Sequence, residues 1–203
     1  MTSTGRVRAA VNVGVAALFA LLCAAHWAAG RETGAWERVV PIMVQEALVV
    51  GLVFARRPSR DTSPRVADWA LGVAGTVLPL LLRPAPQPGP LARLGDPIQI
   101  AGVLLAVVAI GSLGRSFGVV PANRGVKTLG PYGVVRHPAY AAYVLSGVGY
   151  VLSQPTPANA AIVVATLLVM DLRATAEERL LSRDAAYDAY RRRVRWRFVV
   201  GVR

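Results

Sequence analysis

The chain has 203 residues, of which 54% are hydrophobic and 17% charged, yet its formal net charge is +12. That apolar fraction exceeds the roughly 45–50% of soluble domains, and the length suits one domain or a compact bundle. One cysteine, Cys23, and two histidines, His26 and His137, exclude an intrachain disulfide and a cysteine-built metal cluster, and no carboxylate stands at metal-ligand spacing from either histidine.

The first apolar run, Ala9 to Ala29, follows Arg6 and Arg8. Its length meets the roughly 20 residues a span needs, and further runs follow it, so it reads as a transmembrane helix and not a signal peptide. The second, Val39 to Ala55, is interrupted by Gln45 and Glu46. A carboxylate at that depth costs on the order of 2.5–3.5 kcal/mol, so Glu46 is expected to face the bundle or a polar cavity, neutral or paired. The third run is Val66 to Leu82, with Asp68 and Trp69 suited to an interface. Arg83 to Pro97 carries Pro84, Pro86, Pro88, Pro90 and Pro97 and predicts a loop. The fourth run, Ile98 to Leu113, includes Gly102, which permits close helix contacts.

Gly114 to Arg136 is polar and too irregular to span. Two shorter runs follow, Ala139 to Leu152 and Ala158 to Leu172, joined by a tight turn over Ser153 to Pro157. Each is at the short end for a span, which predicts either tilted spans or a shallower hairpin packed on the rest. The tail from Arg173 is charged and helical in pattern to about Arg193. The expected fold is all-α: a polytopic transmembrane bundle of five to six membrane helices with a cytoplasmic C-terminal helix. It divides into an N-terminal four-helix membrane region, 1–113, and a catalytic region, 114–203.

Charge placement orients this map. With the N-terminus inside and six spans, 19 of the 23 basic residues fall on the inner side: Arg6 and Arg8, the group Arg56 to Arg65, the group Arg115 to Arg136, and the arginines from Arg173 onward. Only Arg31, Arg38, Arg83 and Arg93 fall outside. Basic residues collect in cytoplasmic loops, so both termini are expected in the cytoplasm. The same placement points to anionic lipid headgroups as partners, and not to nucleic acid.

The stretch richest in chemistry is Gly130-Pro131-Tyr132-Gly133-Val134-Val135-Arg136-His137-Pro138-Ala139-Tyr140, at the inner entrance to the fifth run. Proline suits the first turn of a helix, where its missing N–H would be unsatisfied anyway. His137 then falls at the cap, beside free N–H groups that favour a polar or anionic ligand. Arg173-Ala174-Thr175-Ala176-Glu177-Glu178 follows the sixth run, and Arg173 and Glu177 share a helix face. The hairpin returns both clusters to one membrane surface. Taken singly, each is as well explained as an interfacial anchor or a helix-surface ion pair.

In combination they resemble the isoprenylcysteine carboxyl methyltransferase-like family of integral membrane methyltransferases, whose relatives include phospholipid methyltransferase-like proteins. The resemblance covers roughly Leu113 to Val202. It rests on Gly130, Tyr132, Arg136, His137, Pro138 and Tyr140, then Arg173, Glu177 and Glu178, then Tyr187, Tyr190, Arg193 and Phe198. The sequence departs from the family pattern at Arg124, where a histidine is common, at Ala142, where a glycine is common, and in a tail without prolines. The resemblance implies S-adenosylmethionine as cofactor, bound by Val126, Lys127, Tyr132, His137, Pro138, Ala139, Tyr140 and Glu177. It implies Arg173 toward the substrate, with Arg173 and Glu178 catalytic and no metal. A lipophilic acceptor would enter from membrane lipid, and the location would be a bacterial inner membrane.

Carboxyl O-methylation of an isoprenylcysteine-like or other lipophilic carboxylate is the reaction expected first. A carboxylate is ionised at neutral pH and needs no base. A lipid amine would need one, with His137 or Glu178 as candidates. Two other classes compete. Sterol-type reductases using NADPH share an Arg-His motif, but carry a tryptophan-rich stretch where this chain has Gly130-Pro131-Tyr132. A non-catalytic membrane protein is the other alternative, although Glu46 alone is a thin basis for an ion path.

Overall fold

The computed structural model describes residues 3–34, 36–85 and 87–202. Pro86 and Arg203, and the side chains of Arg6, Arg8 and Arg38, which enter the loop and charge arguments above, lie outside the described residues. The architecture is all-α. Its helices are α1 (Ser3–Thr33), α2 (Trp36–Ala55), α3 (Val66–Val77), α4 (Ala92–Leu113), α5 (Pro138–Ser153), α6 (Pro157–Leu181) and α7 (Ala185–Arg193). Three stretches are long and apolar enough to cross a membrane, Asn12–Glu32, Ala92–Ser116 and Pro157–Leu181; Val39–Ala55 and Val66–Leu81 are shorter apolar helices.

Two boundaries differ from the sequence expectation. The proline loop ends early, because α4 begins at Ala92 and takes Pro97 inside it. Pro97 lies in the second turn, where only the Arg93 carbonyl loses its donor, so the helix tolerates it. The last hairpin is also asymmetric: α5 has 16 residues, whereas α6 has 25 and runs on past Leu172 to Leu181. Polar residues continue α6 because Arg173 to Leu181 contains no glycine or proline to stop it. Thr156 caps its start by accepting from the Asn159 N–H at 3.1 Å, and Pro157 fills the first turn.

In space the helices neighbour one another in the order α1, α2, α4, α5, α6, α3. The tightest pair is α4 with α5. A Cβ placed on Gly102 would lie 2.7 Å from the Cα of Ser146, and one on Gly149 would lie 2.7 Å from the Cα of Gln99, so the two backbones all but touch. A two-residue antiparallel pairing sets Asp61 opposite Asn123 and Thr62 opposite Ala122. It ties the α2–α3 loop to the long α4–α5 loop. The apolar core runs through Val49, Val53, Ala109, Ile110, Ala139, Tyr140, Met170 and Ala174, so the start of α5 sits deep among α2, α4 and α6.

Candidate functional site

The Arg-His-Pro segment is fixed from both sides. Pro138 is the first residue of α5 and His137 its cap. The backbone N–H groups of Arg136 and His137 donate to the carbonyls of Trp196 and Arg197, each at 2.9 Å. The chain end thus folds back and lies beside the motif. Upstream, Gly130 has φ +62°, a left-handed conformation natural to glycine, and opens the turn that carries Tyr132. The Tyr190 hydroxyl donates to the Tyr132 carbonyl at 2.8 Å, docking α7 on that turn. Burial pushes the Tyr190 phenol up to about 12, and raises Tyr132 as well. The cap of α7, Asp184, accepts from Asn123 at 2.9 Å, and that hydrogen bond holds its carboxyl below the usual range.

The two neighbouring glutamates of α6 point to different places. Glu178 accepts from Arg136 Nε at 2.9 Å, stands 2.9 Å from His137 Nε2, and has Arg197 Nε at 3.6 Å. It is the centre of a clamp joining α6, the start of α5 and the tail. Glu177 accepts from the Tyr140 hydroxyl, with Arg173 Nε and His137 Nδ1 each at 3.8 Å. The His137 ring stacks on Tyr140, with centroids 5.4 Å apart and planes within 6°. The Arg173 guanidinium lies over the Tyr140 ring, 5.3 Å from its centroid, and donates to the Val119 carbonyl at 2.7 Å.

Arg136, His137, Tyr140, Arg173 and Glu177 border one cavity of about 590 Å³, within the range of small-molecule sites. Val126, Lys127, Tyr132 and His137 line it, as do Ala139, Tyr140, Arg173 and Glu177. Pro138 and Glu178 do not: Pro138 is packed into the core, and Glu178 faces the clamp. The wall also holds groups that motif spacing missed. The backbone around Val119 and the ring of Tyr143 belong to it, but a carbonyl leaves no mark in sequence and Tyr143 reads as core. Arg197, which bonds Asp171 and Thr175 at 2.7 and 2.6 Å, organises the clamp from a tail position that the family pattern does not mark.

The cavity wall is fit for a polar cofactor. The Tyr187 hydroxyl and Arg173 Nε are buried there with no hydrogen-bond partner among the described residues. Buried donors of this kind are costly unless something meets them. Glu177 offers a carboxylate to a cationic ligand a short distance away. Among the described residues no group of three His, Cys, Asp or Glu is placed to hold a metal.

Residues 93–187 match the family model for phospholipid methyltransferases. That family lies within the isoprenylcysteine carboxyl methyltransferase-like group, which this region of the chain resembles. The match begins at Arg93 and therefore takes in α4, which the sequence groups only with the N-terminal helices. No curated protein matches the chain. Together with the span-length apolar helices, the match to phospholipid methyltransferases supports an integral membrane methyltransferase acting on lipid-type substrates.

Proposed function

We propose that the protein uses S-adenosylmethionine to methylate a lipophilic carboxylate, of the isoprenylcysteine kind or another, at the cytoplasmic face of its membrane. The observation that carries this reading is the joint placement of Arg173, Glu177 and the unpartnered Tyr187 hydroxyl on one cavity wall. Val126, Lys127, Tyr132, His137, Ala139, Tyr140 and Glu177 would hold the cofactor, which supplies an electrophilic methyl on a sulfonium. Pro138 would act through the helix it starts, and Glu178 through His137 and Arg136.

Arg173 is the group suited to the acceptor. Its charge is fixed, and its planar fork matches a carboxylate. The Tyr140 ring and the Val119 carbonyl hold the guanidinium in place. The task left to the protein is alignment and exclusion of water, which suits a site without a general-base pair. The buried ring of Tyr140 and the half-buried ring of Tyr143 give this part of the wall an apolar surface. The lipophile would arrive through the helices and the cofactor from the cytosol, with both termini inside, as the basic residues favour.

The match to phospholipid methyltransferases supports a second reading, N-methylation of a lipid amine. A proton must then leave the acceptor. His137 is the base candidate, because its ring borders the cavity while Glu178 is held in the clamp.

Isothermal titration of the purified protein with S-adenosylhomocysteine and with NADPH tests the cofactor. Binding of the former alone is expected. Binding of NADPH alone would turn the assignment toward a reductase. A labelled-methyl assay on prenylcysteine analogues and on lipid amines, resolved by product mass, then separates the two acceptors.

A further inference from the structure

The cavity does not stop at the Arg173 end. On α4 its lining residues Gln99, Val103, Ala106, Ile110 and Leu113 form one helix face. Fourteen helical steps of 1.5 Å from Gln99 to Leu113 make this face ~21 Å long. Near Arg173 the cavity lining is an apolar collar, for Val49 and Ile110 belong to the core cluster that holds Tyr140 and Ala174, and Tyr143 packs against that cluster. Beyond the collar polarity returns. His26, Gln45, Glu46 and Gln99 all border the same space, as do Arg83 and the hydroxyl residue Tyr150.

This polar chamber lies on apolar helices where polar groups are expensive. Glu46 is 3% exposed, and His26 Nδ1 lies 3.0 Å from one of its oxygens. That pair accounts for itself as a tie between α1 and α2. Gln45 and Gln99 have no such account. Each is half-buried at the cavity wall, and neither amide makes a side-chain hydrogen bond among the described residues. A proton or ion path is a poor explanation, since the collar separates this set from the charges at Arg173 and Glu177. A metal site is no better, with no three ligating side chains together among the described residues.

We infer that the chamber beyond the collar binds a hydroxyl carried on the acceptor's chain, remote from the atom that is methylated, through Gln45, Glu46 and Gln99. The inference rests on the methyltransferase reading only for the end of the chain that Arg173 takes. A hydroxyl both donates and accepts, which matches two amides and a carboxylate on the wall of one cavity. A plain alkyl end would leave both amides unmet. The acceptor class is therefore a lipophile polar at both ends, with an apolar stretch for the collar.

The test uses the full chain in nanodiscs and two probe sets: ω-hydroxy fatty acids and the same acids without the hydroxyl, with their dissociation constants measured by calorimetry. The wild-type protein should bind the hydroxylated member about tenfold more tightly, the worth of one net hydrogen bond. In Gln45→Leu/Gln99→Leu the ratio should fall to about one, with the affinity for the plain acid retained. If the double variant fails to fold, Gln99→Leu alone should lower the ratio in the same direction. No preference in the wild type, or a preference that survives both variants because water alone fills the chamber, overturns the inference. S-adenosylhomocysteine binding in the same preparations separates the two readings. Its absence with the hydroxyl preference intact would sink the methyltransferase assignment and leave the chamber.

Discussion

Glu177 and Glu178 are adjacent, carry the same charge, and sit a helical step of about 100° apart. That step sends one carboxylate to the cavity and the other into Arg136, His137 and Arg197. Their substitutions should therefore separate binding from stability. Glu178→Ala strands three donors around a nearly buried position, and should cost about 3 kcal/mol of stability, seen as a lowered unfolding temperature in detergent. Glu177→Gln keeps the shape and removes one charge. It should leave unfolding near wild type while weakening S-adenosylhomocysteine binding by about tenfold, as calorimetry would read. Equal effects from the two variants would contradict this division. Both residues are visible in the Arg-x-x-x-Glu-Glu pattern. Which of them borders the cavity is not, because that depends on the rotation of α6 against α5.

At the scale of elements, α4 and α5 make the closest contact, and glycine is what allows it. A side chain at Gly102 would run into the backbone of Ser146 and not into a movable side-chain end. Gly102→Leu should therefore destabilise the protein by about 2 kcal/mol, the usual cost of overpacking, whereas the same change at Gly51, where nothing lies within 4 Å, should cost little. Thermal unfolding of both variants checks the contrast. The glycine at 102 is legible as a permissive residue, but its partner helix is not. The length of α6 was hidden for another reason. Hydropathy falls at Arg173, so the apolar run ends there, although helix propensity does not. The helix carries Arg173, Glu177 and Glu178 out as one rigid rod, a better platform for a site than a loop.

At the scale of the whole molecule, α3 packs on α6 and not beside its sequence neighbour α2. This brings the loop after α4, including Val119, over Gly72 of α3 and onto Arg173. The charge asymmetry predicts which way the bundle sits. In a Cys23→Ser background, Gln87→Cys in the exposed loop before α4 should react with an impermeant maleimide on intact cells. Arg192→Cys in α7 should react only after permeabilisation. The reverse pattern would invert the topology and put the proposed cofactor site on the wrong side for a cytosolic donor.

The sequence by itself determined that the chain is a helical membrane protein, because hydropathy run lengths and the distribution of arginines respond to the bilayer and not to the partners of each helix. It also pointed to the methyltransferase group that residues 93–187 match, through residues clustered within short segments. Only the tertiary structure decided which side chains meet. The pairing of His26 with Glu46, the turn of Glu178 into the tail, and the long cavity joining Gln99 to Glu177 all depend on helix rotation and order. Those are set by packing between segments far apart in the chain, which local patterns do not encode.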